Sequence, residues 1–177
     1  SYYNGLINLL REDVDIAVLG EIRDRKTMDV AIDLAESGGL VIGTLHTRSC
    51  GETVERIINM YDPADQNAIK NSVSSVLKMV ISQKLILSTK GNLMMVPEIM
   101  VVNNVIAAQI RQEKFSVSDI EDTIHASGAI GSVSFESSFA DLYNKGLIDM
   151  NILKENTEPE RMNTIKGLIL TNGGSLT

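Results

Sequence analysis

Glu21 and His46 are the residues of this sequence best placed to do chemistry. Each closes a short apolar run: Ile16 to Leu19 ends at Gly20 in "DVDIAVLGEIRD", and Leu40 to Leu45 ends in "LVIGTLHT". Such runs predict buried strands, and in an open parallel sheet ligands bind outside the carboxyl ends of the strands. If the two strands are neighbours, both side chains stand on one rim. A carboxylate there can order a metal-bound water or help to hold Mg²⁺ against a phosphate. An imidazole can donate a hydrogen bond to a phosphate oxygen and so report whether the terminal phosphate is present. Thr44 and Thr47 add hydroxyls beside it. Blander readings stand next to these: Glu21 solvated in a loop, His46 a structural hydrogen-bonder, Arg23 and Asp24 a local ion pair. A rival chemistry is a metal-dependent hydrolase with Glu21, Asp24 and His46 as ligands, although the chain holds only two histidines. A third reading is an interaction module whose strand-end charges are merely solvated.

The elements that must position these residues follow from periodicity. In "RDRKTMDVAIDLAESGG", Thr27, Val30, Ala31, Leu34 and Ala35 recur at helical spacing, and Gly38–Gly39 ends the helix. "SCGETVERIINMYDP" predicts a short helix with Ser49 as N-cap and Pro63 as a stop. Strand, helix, strand, helix with short joints predicts an α/β fold with a parallel sheet covered on both faces. "ADQNAIKNSVSSVLKMVIS" predicts a longer helix with Ile69, Val73, Val76, Leu77 and Val80 on one stripe. "QKLILST" and "NLMMVPEIMVV" around "KG" predict an antiparallel hairpin closing the sheet, with Pro97 at an edge or bulge. From Asn104 onward the pattern is helical, interrupted by "SGAIGSVS", which predicts a flexible loop. The tail from residue 171 predicts disorder.

The totals narrow the classes. The 177 residues are 44% apolar and 22% charged, as in ordinary globular domains. Aromatics are 4% with no Trp, and the net charge is −7. This composition argues against a broad nucleic-acid surface. Cys50 is the single cysteine, which excludes an internal disulfide and suits a reducing compartment. Its expected role is a small buried residue. No apolar run reaches the roughly 18 residues of a membrane span, so a soluble protein without membrane insertion is expected. The chain opens without Met, partway into a helical pattern with Tyr3, Leu6, Ile7 and Leu10 on one face, and a fragment is expected.

Several segments, in order, make a family resemblance. "LLREDVDIAVLGEIRDRKT", "GLVIGTLHT", "ETVERIINMYDPADQ", "VISQKLI", "PEIMVVN" and "FADLYNKGLI" closely resemble the C-terminal half of PilT-like type IV pilus retraction ATPases. The resemblance implies a RecA-like core, a homo-hexamer, ATP and Mg²⁺ as cofactors, and inner-membrane pilus platform proteins as partners at the cytoplasmic face of the membrane. It implies that "DIAVLGEIRD" is the Walker B segment, with Glu21 as its acidic residue holding Mg²⁺ through water. It makes "GTLHT" the His box, with His46 near the terminal phosphate. Arg23 and Asp24 complete the Gly-Glu-x-Arg-Asp motif and, with Thr44 and Thr47, form the expected nucleotide-binding set. Residues 1–103 would then be the core fragment, 104–170 a C-terminal helical region, and 171–177 a tail.

Departures from the family pattern matter as well. No Gly-Lys pair occurs, so the phosphate-cradling Gly-x-x-x-x-Gly-Lys-[Ser/Thr] loop is absent from this stretch. The acidic box and the N-terminal domain are missing too. This chain alone should therefore bind ATP poorly and hydrolyse it negligibly. Where retraction ATPases carry a motif resembling Ala-Ile-Arg-Asn-Leu-Ile-Arg-Glu, this sequence has "VIAAQIRQ", matching at Ile106, Ile110 and Arg111 but not at Ala107 or Gln112. Extension and secretion relatives typically carry a four-cysteine zinc insertion, which one cysteine cannot build. Retraction is thus the expected role, with pilus extension, type II secretion or a non-catalytic subunit-contact module as alternatives.

Overall fold

The computed structural model describes residues 14–176; the helical pattern from Tyr3 to Leu10 lies outside them. By contacts the chain forms two compact units. Among the described residues, one holds 14–47 together with 51–78 and 102–120, and the other holds 48–50, 79–101 and 121–176. These units cut across the linear division at 103/104.

In the first unit, strand β1 (Ile16–Leu19) pairs in parallel with β2 (Leu40–Gly43), from Ile16↔Leu40 to Leu19↔Gly43. Helix α1 (Arg25–Glu36) connects them and packs against β2. Asp24 starts the helix by accepting the Thr27 N–H at 2.9 Å. Thr27, Met28, Val30, Ala31, Ile32 and Leu34 form its buried face. Gly38, at φ 101°, takes the left-handed turn that brings the chain back. The strand, helix, strand unit is therefore as the periodicity predicts. The double coverage is not: Ala17 and Leu19 are buried, but Ile16, Val18, Leu40 and Ile42 are each at least half exposed. Their alternation leaves one face of this two-stranded sheet open among the described residues. β2 also stops at Gly43, before the expected Leu45.

Helix α2 spans Cys50–Ile58 and α3 spans Gln66–Val76. The stripe expected to run on to Val80 stops at Val76, because Leu77 is extended and Met79 enters a strand. Helix α4 (Asn104–Arg111) packs on α3 and is capped by Asn103, which accepts the Ile106 N–H at 2.9 Å. Buried Lys70 of α3 donates to the carbonyls of Gln112 and Glu113 at 3.1 and 2.8 Å, just past the end of α4. Carbonyls there have no helical partner, and an ammonium suits that end of the helix dipole. Arg111, a matching residue of the resemblance motif, donates to Ser74 Oγ at 3.0 Å.

In the second unit, β3 (Met79–Leu87) and β4 (Leu93–Val101) form the expected antiparallel hairpin. They make their own two-stranded sheet and do not close the β1–β2 sheet. Pro97 lies opposite Gln83 in an unbroken register, with no bulge. Its neighbours explain why it is tolerated. Ile99 bonds Val133, the Val101 N–H bonds Ser132 Oγ, and the Pro97 carbonyl accepts from Ser138. These alternate positions face away from β3, so the N–H missing from Pro97 costs no ladder bond.

The segment expected to be a flexible loop is fixed by the same contacts. Gly128–Ile130 is a 3-10 turn, Val133 bridges Ile99, and Ser134 caps helix α6 (Phe135–Asn144) by accepting the Ser137 N–H. Helix α5 (Val117–Ala126) precedes it. The last helical stretch is two helices, α7 (Met150–Asn156) and α8 (Pro159–Thr171), because Glu158, extended before Pro159, breaks the run. The expected tail is, at its start, the end of α8 and its cap: the Gly174 N–H returns to the Ile169 carbonyl at 2.9 Å. The core joins Ile86 and Val96 of the hairpin to Phe135, Phe139, Ala140, Ile148, Leu153, Met162, Ile165 and Ile169.

Arg161 of α8 clamps this unit, donating to Glu136 at 2.6 Å and to Glu121 at 2.7 Å. Burial pushes Glu136 up, but its own backbone N–H and Arg161 outweigh burial and hold the carboxyl below its ordinary value. A depressed carboxyl adds stability above its unfolded pKa, about 4.3, and loses it as pH falls through the folded value. Arg161→Met should therefore cost about 1–2 kcal/mol at neutral pH, allowing for the partly exposed guanidinium. Urea titrations should show that difference shrinking as pH is lowered through the carboxylate range.

Candidate functional site

The site grows from the way β1 and β2 end. Beyond the last pair, Leu19↔Gly43, the Ile22 N–H donates to the Thr44 carbonyl at 2.9 Å, and the Thr44 hydroxyl donates to the Gly20 carbonyl. These ties keep the two segments side by side after the strands stop. Ile22 is buried between them, and a Cβ on Gly43 would lie 2.5 Å from its Cδ1. Only glycine allows that approach without moving Ile22.

Glu21 and His46 consequently meet. Glu21 Oε1 lies 3.2 Å from His46 Nε2, and Glu21 Oε2 lies 2.5 Å from an Arg23 guanidinium nitrogen. The Glu21 side chain is 26% exposed, whereas that of His46 is 87% exposed. The Arg23 hydrogen bond, ahead of every other influence, holds the Glu21 carboxyl below its usual range, and Glu21 in turn raises Arg23. Glu21 is thus an ionised acceptor at neutral pH, suited to orienting a water or a hydrated cation. A general base poised near neutrality would need the opposite shift.

The other expected residues divide by position. Arg23 shares the Glu21 cluster. Thr44 is spent on the Gly20 carbonyl, so its hydroxyl aligns the strand ends. Asp24 caps α1, and its carboxyl is held down first by the Thr27 backbone N–H. Thr47 Oγ1 lies 2.7 Å from Thr53 Oγ1 of α2. Sequence reasoning missed Ile22, Gly43 and Thr53, the groups that set the geometry. Gly43 carried a signal in its place at the end of a strand, whereas Thr53 carried none. Among the described residues no group of three or more His, Cys, Asp and Glu side chains could hold a metal ion. Glu21 fits a hydrated Mg²⁺ as a single anionic acceptor, since a carboxylate has lone pairs beyond the two contacts it makes here.

An acid and an imidazole at the carboxyl ends of a helix-connected parallel strand pair lie where open α/β sheets bind ligands. The chain belongs to the type II/IV secretion system protein family, whose model matches residues 1–117. It is 34% identical over 149 residues to the "Twitching motility protein" of Neisseria gonorrhoeae, covering 84% of this chain and 39% of that protein. It is 34% identical over 154 residues to the "Type IV pilus retractation ATPase PilT" of Pseudomonas aeruginosa, covering 87% and 44%. Its fold matches a crystal structure of the pilus retraction motor PilT with bound ADP, with a TM-score of 0.79, 28% identity and coverage of 93% and 46%. The fold is therefore α/β and RecA-like. The chain spans less than half the length of these relatives.

Proposed function

We propose that this chain is part of an ATPase motor that powers type IV pilus retraction, and that Glu21 and His46 serve its nucleotide site. The observation that carries the reading is the 3.2 Å approach of His46 Nε2 to Glu21 Oε1 across two parallel strand ends. Phosphoryl transfer needs positioning and charge stabilisation more than covalent help from the protein. Glu21, kept ionised by Arg23, accepts hydrogen bonds from water at the site. The exposed His46 donates to a terminal phosphate oxygen. Bound Mg²⁺ would neutralise phosphate charge, with Glu21 holding a water of its hydration shell. Arg23 fixes the carboxylate, Thr44 and Thr47 fix the His46 segment, and Asp24 fixes the start of α1.

The assembly in this reading is a homo-hexamer at the cytoplasmic face of the inner membrane, acting on pilus platform proteins. The absence of a membrane-spanning helix among the described residues is compatible with that place. The 177 residues alone, without a phosphate-cradling loop, bind ATP weakly. Ala107 and Gln112 favour a second reading, pilus extension or type II secretion, while the single cysteine disfavours the zinc-bearing members of those groups.

The test uses a polypeptide of the relatives' full length that contains this chain. His46→Ala should weaken ATP binding and lower kcat, by about tenfold to a hundredfold for a lost contact to a charged phosphate. ADP affinity should stay within a factor of about two, since ADP lacks the terminal phosphate. Equal weakening of ATP and ADP in a nucleotide titration would remove His46 from that role.

A further inference from the structure

Glu21, the carboxylate assigned above to a hydrated cation, already carries a cation of the chain's own. Arg23 Nη2 lies 2.5 Å from its Oε2, while His46 Nε2 faces Oε1 at 3.2 Å. Arg25, two residues further on, is engaged elsewhere in the same compact unit. Its guanidinium lies 2.9 Å from Asp65 Oδ2 and over the Tyr61 ring. Arg23 is thus the guanidinium that acts on Glu21.

What this pair achieves can be narrowed by elimination. Lowering the Glu21 pKa further adds almost nothing to its charge at neutral pH, because an ordinary glutamate, near about 4.3, is already ionised there. Stability gains little either: the Arg23 side chain is 77% exposed, and exposed ion pairs contribute weakly. The backbone around Glu21 has its own ties, from the Ile22 N–H to the Thr44 carbonyl and from the Thr44 hydroxyl to the Gly20 carbonyl. The effect that remains is on whatever else is drawn to the carboxylate. A guanidinium on one oxygen offsets the negative charge, and two cations near one carboxylate repel each other. Geometry leaves room for a second cation, since the carboxylate keeps lone pairs beyond its two contacts. A hydrated dication can therefore approach Glu21, but only against Arg23.

We propose that Arg23 is a built-in competitor of the divalent cation for Glu21, and that it sets the Mg²⁺ concentration at which the site loads. The proposal rests on the ATPase reading above. It concerns the charge of Arg23, not its shape.

The test measures binding, not turnover. In the relatives'-length protein, binding of a fluorescent, non-hydrolysable ATP analogue is followed against free Mg²⁺ at fixed pH. Arg23→Gln removes the charge and keeps a hydrogen-bond donor. It should lower the Mg²⁺ concentration at half-maximal binding about threefold, a modest change because exposed ion pairs couple weakly. Arg23→Lys keeps a point charge and should stay within about 1.5-fold of the wild type. With Glu21→Gln already in place, Arg23→Gln should no longer lower the requirement, because the two act through one carboxylate. A residue that merely held Glu21 in place would behave in the opposite way, its loss raising the Mg²⁺ requirement. An unchanged or raised requirement in Arg23→Gln, or a fall as large in Arg23→Lys, would overturn the proposal. Absence of Mg²⁺-dependent nucleotide binding in the wild type would instead defeat the ATPase reading. The competition is then tested in the 177-residue chain with Mn²⁺ alone, which takes the same oxygen ligands and broadens nearby amide signals. In Arg23→Gln, broadening at residues 20–24 should reach half its extent at about half the wild-type Mn²⁺ concentration. Equal concentrations would overturn the proposal there, whatever the nucleotide result.

Discussion

Glu21→Gln should lower ATP turnover of the relatives'-length protein by about 10²–10³-fold, the range for removing one preorganised electrostatic group from a reaction site. The substitution keeps the size and one acceptor oxygen, so the β1 end and its tie to Thr44 should persist. What it removes is the negative charge that binds Arg23 and faces His46. The effect should fall mainly on kcat, because in its proposed role Glu21 orients water and a hydrated cation, which matters most where charge moves. ADP binding and the thermal midpoint should change little. Glu21→Asp provides the complementary measurement. It keeps the charge but draws it back by one methylene, and its kcat should lie between those of wild type and Glu21→Gln. Steady-state kinetics with direct nucleotide titration reads all three proteins. Wild-type kcat in Glu21→Gln would remove Glu21 from the reaction.

Phe139→Ala should destabilise the second unit by about 3–5 kcal/mol, the usual cost of deleting a fully buried aromatic side chain. Phe139 is 1% exposed and belongs to the core in which α6, α7 and α8 meet the hairpin residues Ile86 and Val96. A domain's whole stability is about 5–15 kcal/mol, so this single change should bring the unit close to unfolding at room temperature. Urea titration followed by circular dichroism should show the midpoint falling sharply. Phe139→Leu leaves a smaller cavity and should lose much less. A small loss in Phe139→Ala would mean that α6 can collapse onto the hairpin and refill the space.

Much of this molecule was legible in the chain itself. The run Ile16 to Leu19, the helical repeat from Thr27 to Leu34 and the Gly38 turn are local signals, and the β1–α1–β2 unit follows them. Because both strands end on polar residues, Glu21 and His46 share one rim once the strands are neighbours, and the β1–β2 pairing makes them so. Other features were beyond local reading. Val80 fits a helical stripe and a strand equally well, and only its pairing with Met100 decides between them. "SGAIGSVS" has the composition of a mobile loop, yet Ile99 bonds the Val133 backbone and the Ser132 hydroxyl accepts the Val101 N–H. Glu98 sits in "VPEIM" like any polar residue of a half-exposed strand, and nothing nearby announces that it is buried.

Local signals in the chain account for the helices apart from the end of α3, for the parallel strand pair, for the hairpin and for the charged groups at the strand ends. These depend on periodicity, on turn residues and on interactions within a few residues along the chain. Packing alone fixed that the hairpin forms a separate sheet, that Arg161 joins Glu121 and Glu136, and that Glu98 reaches Cys50. Each of those depends on a partner distant in sequence. Hydrogen-bond geometry and burial choose such partners once the chain is packed, and no local pattern carries them.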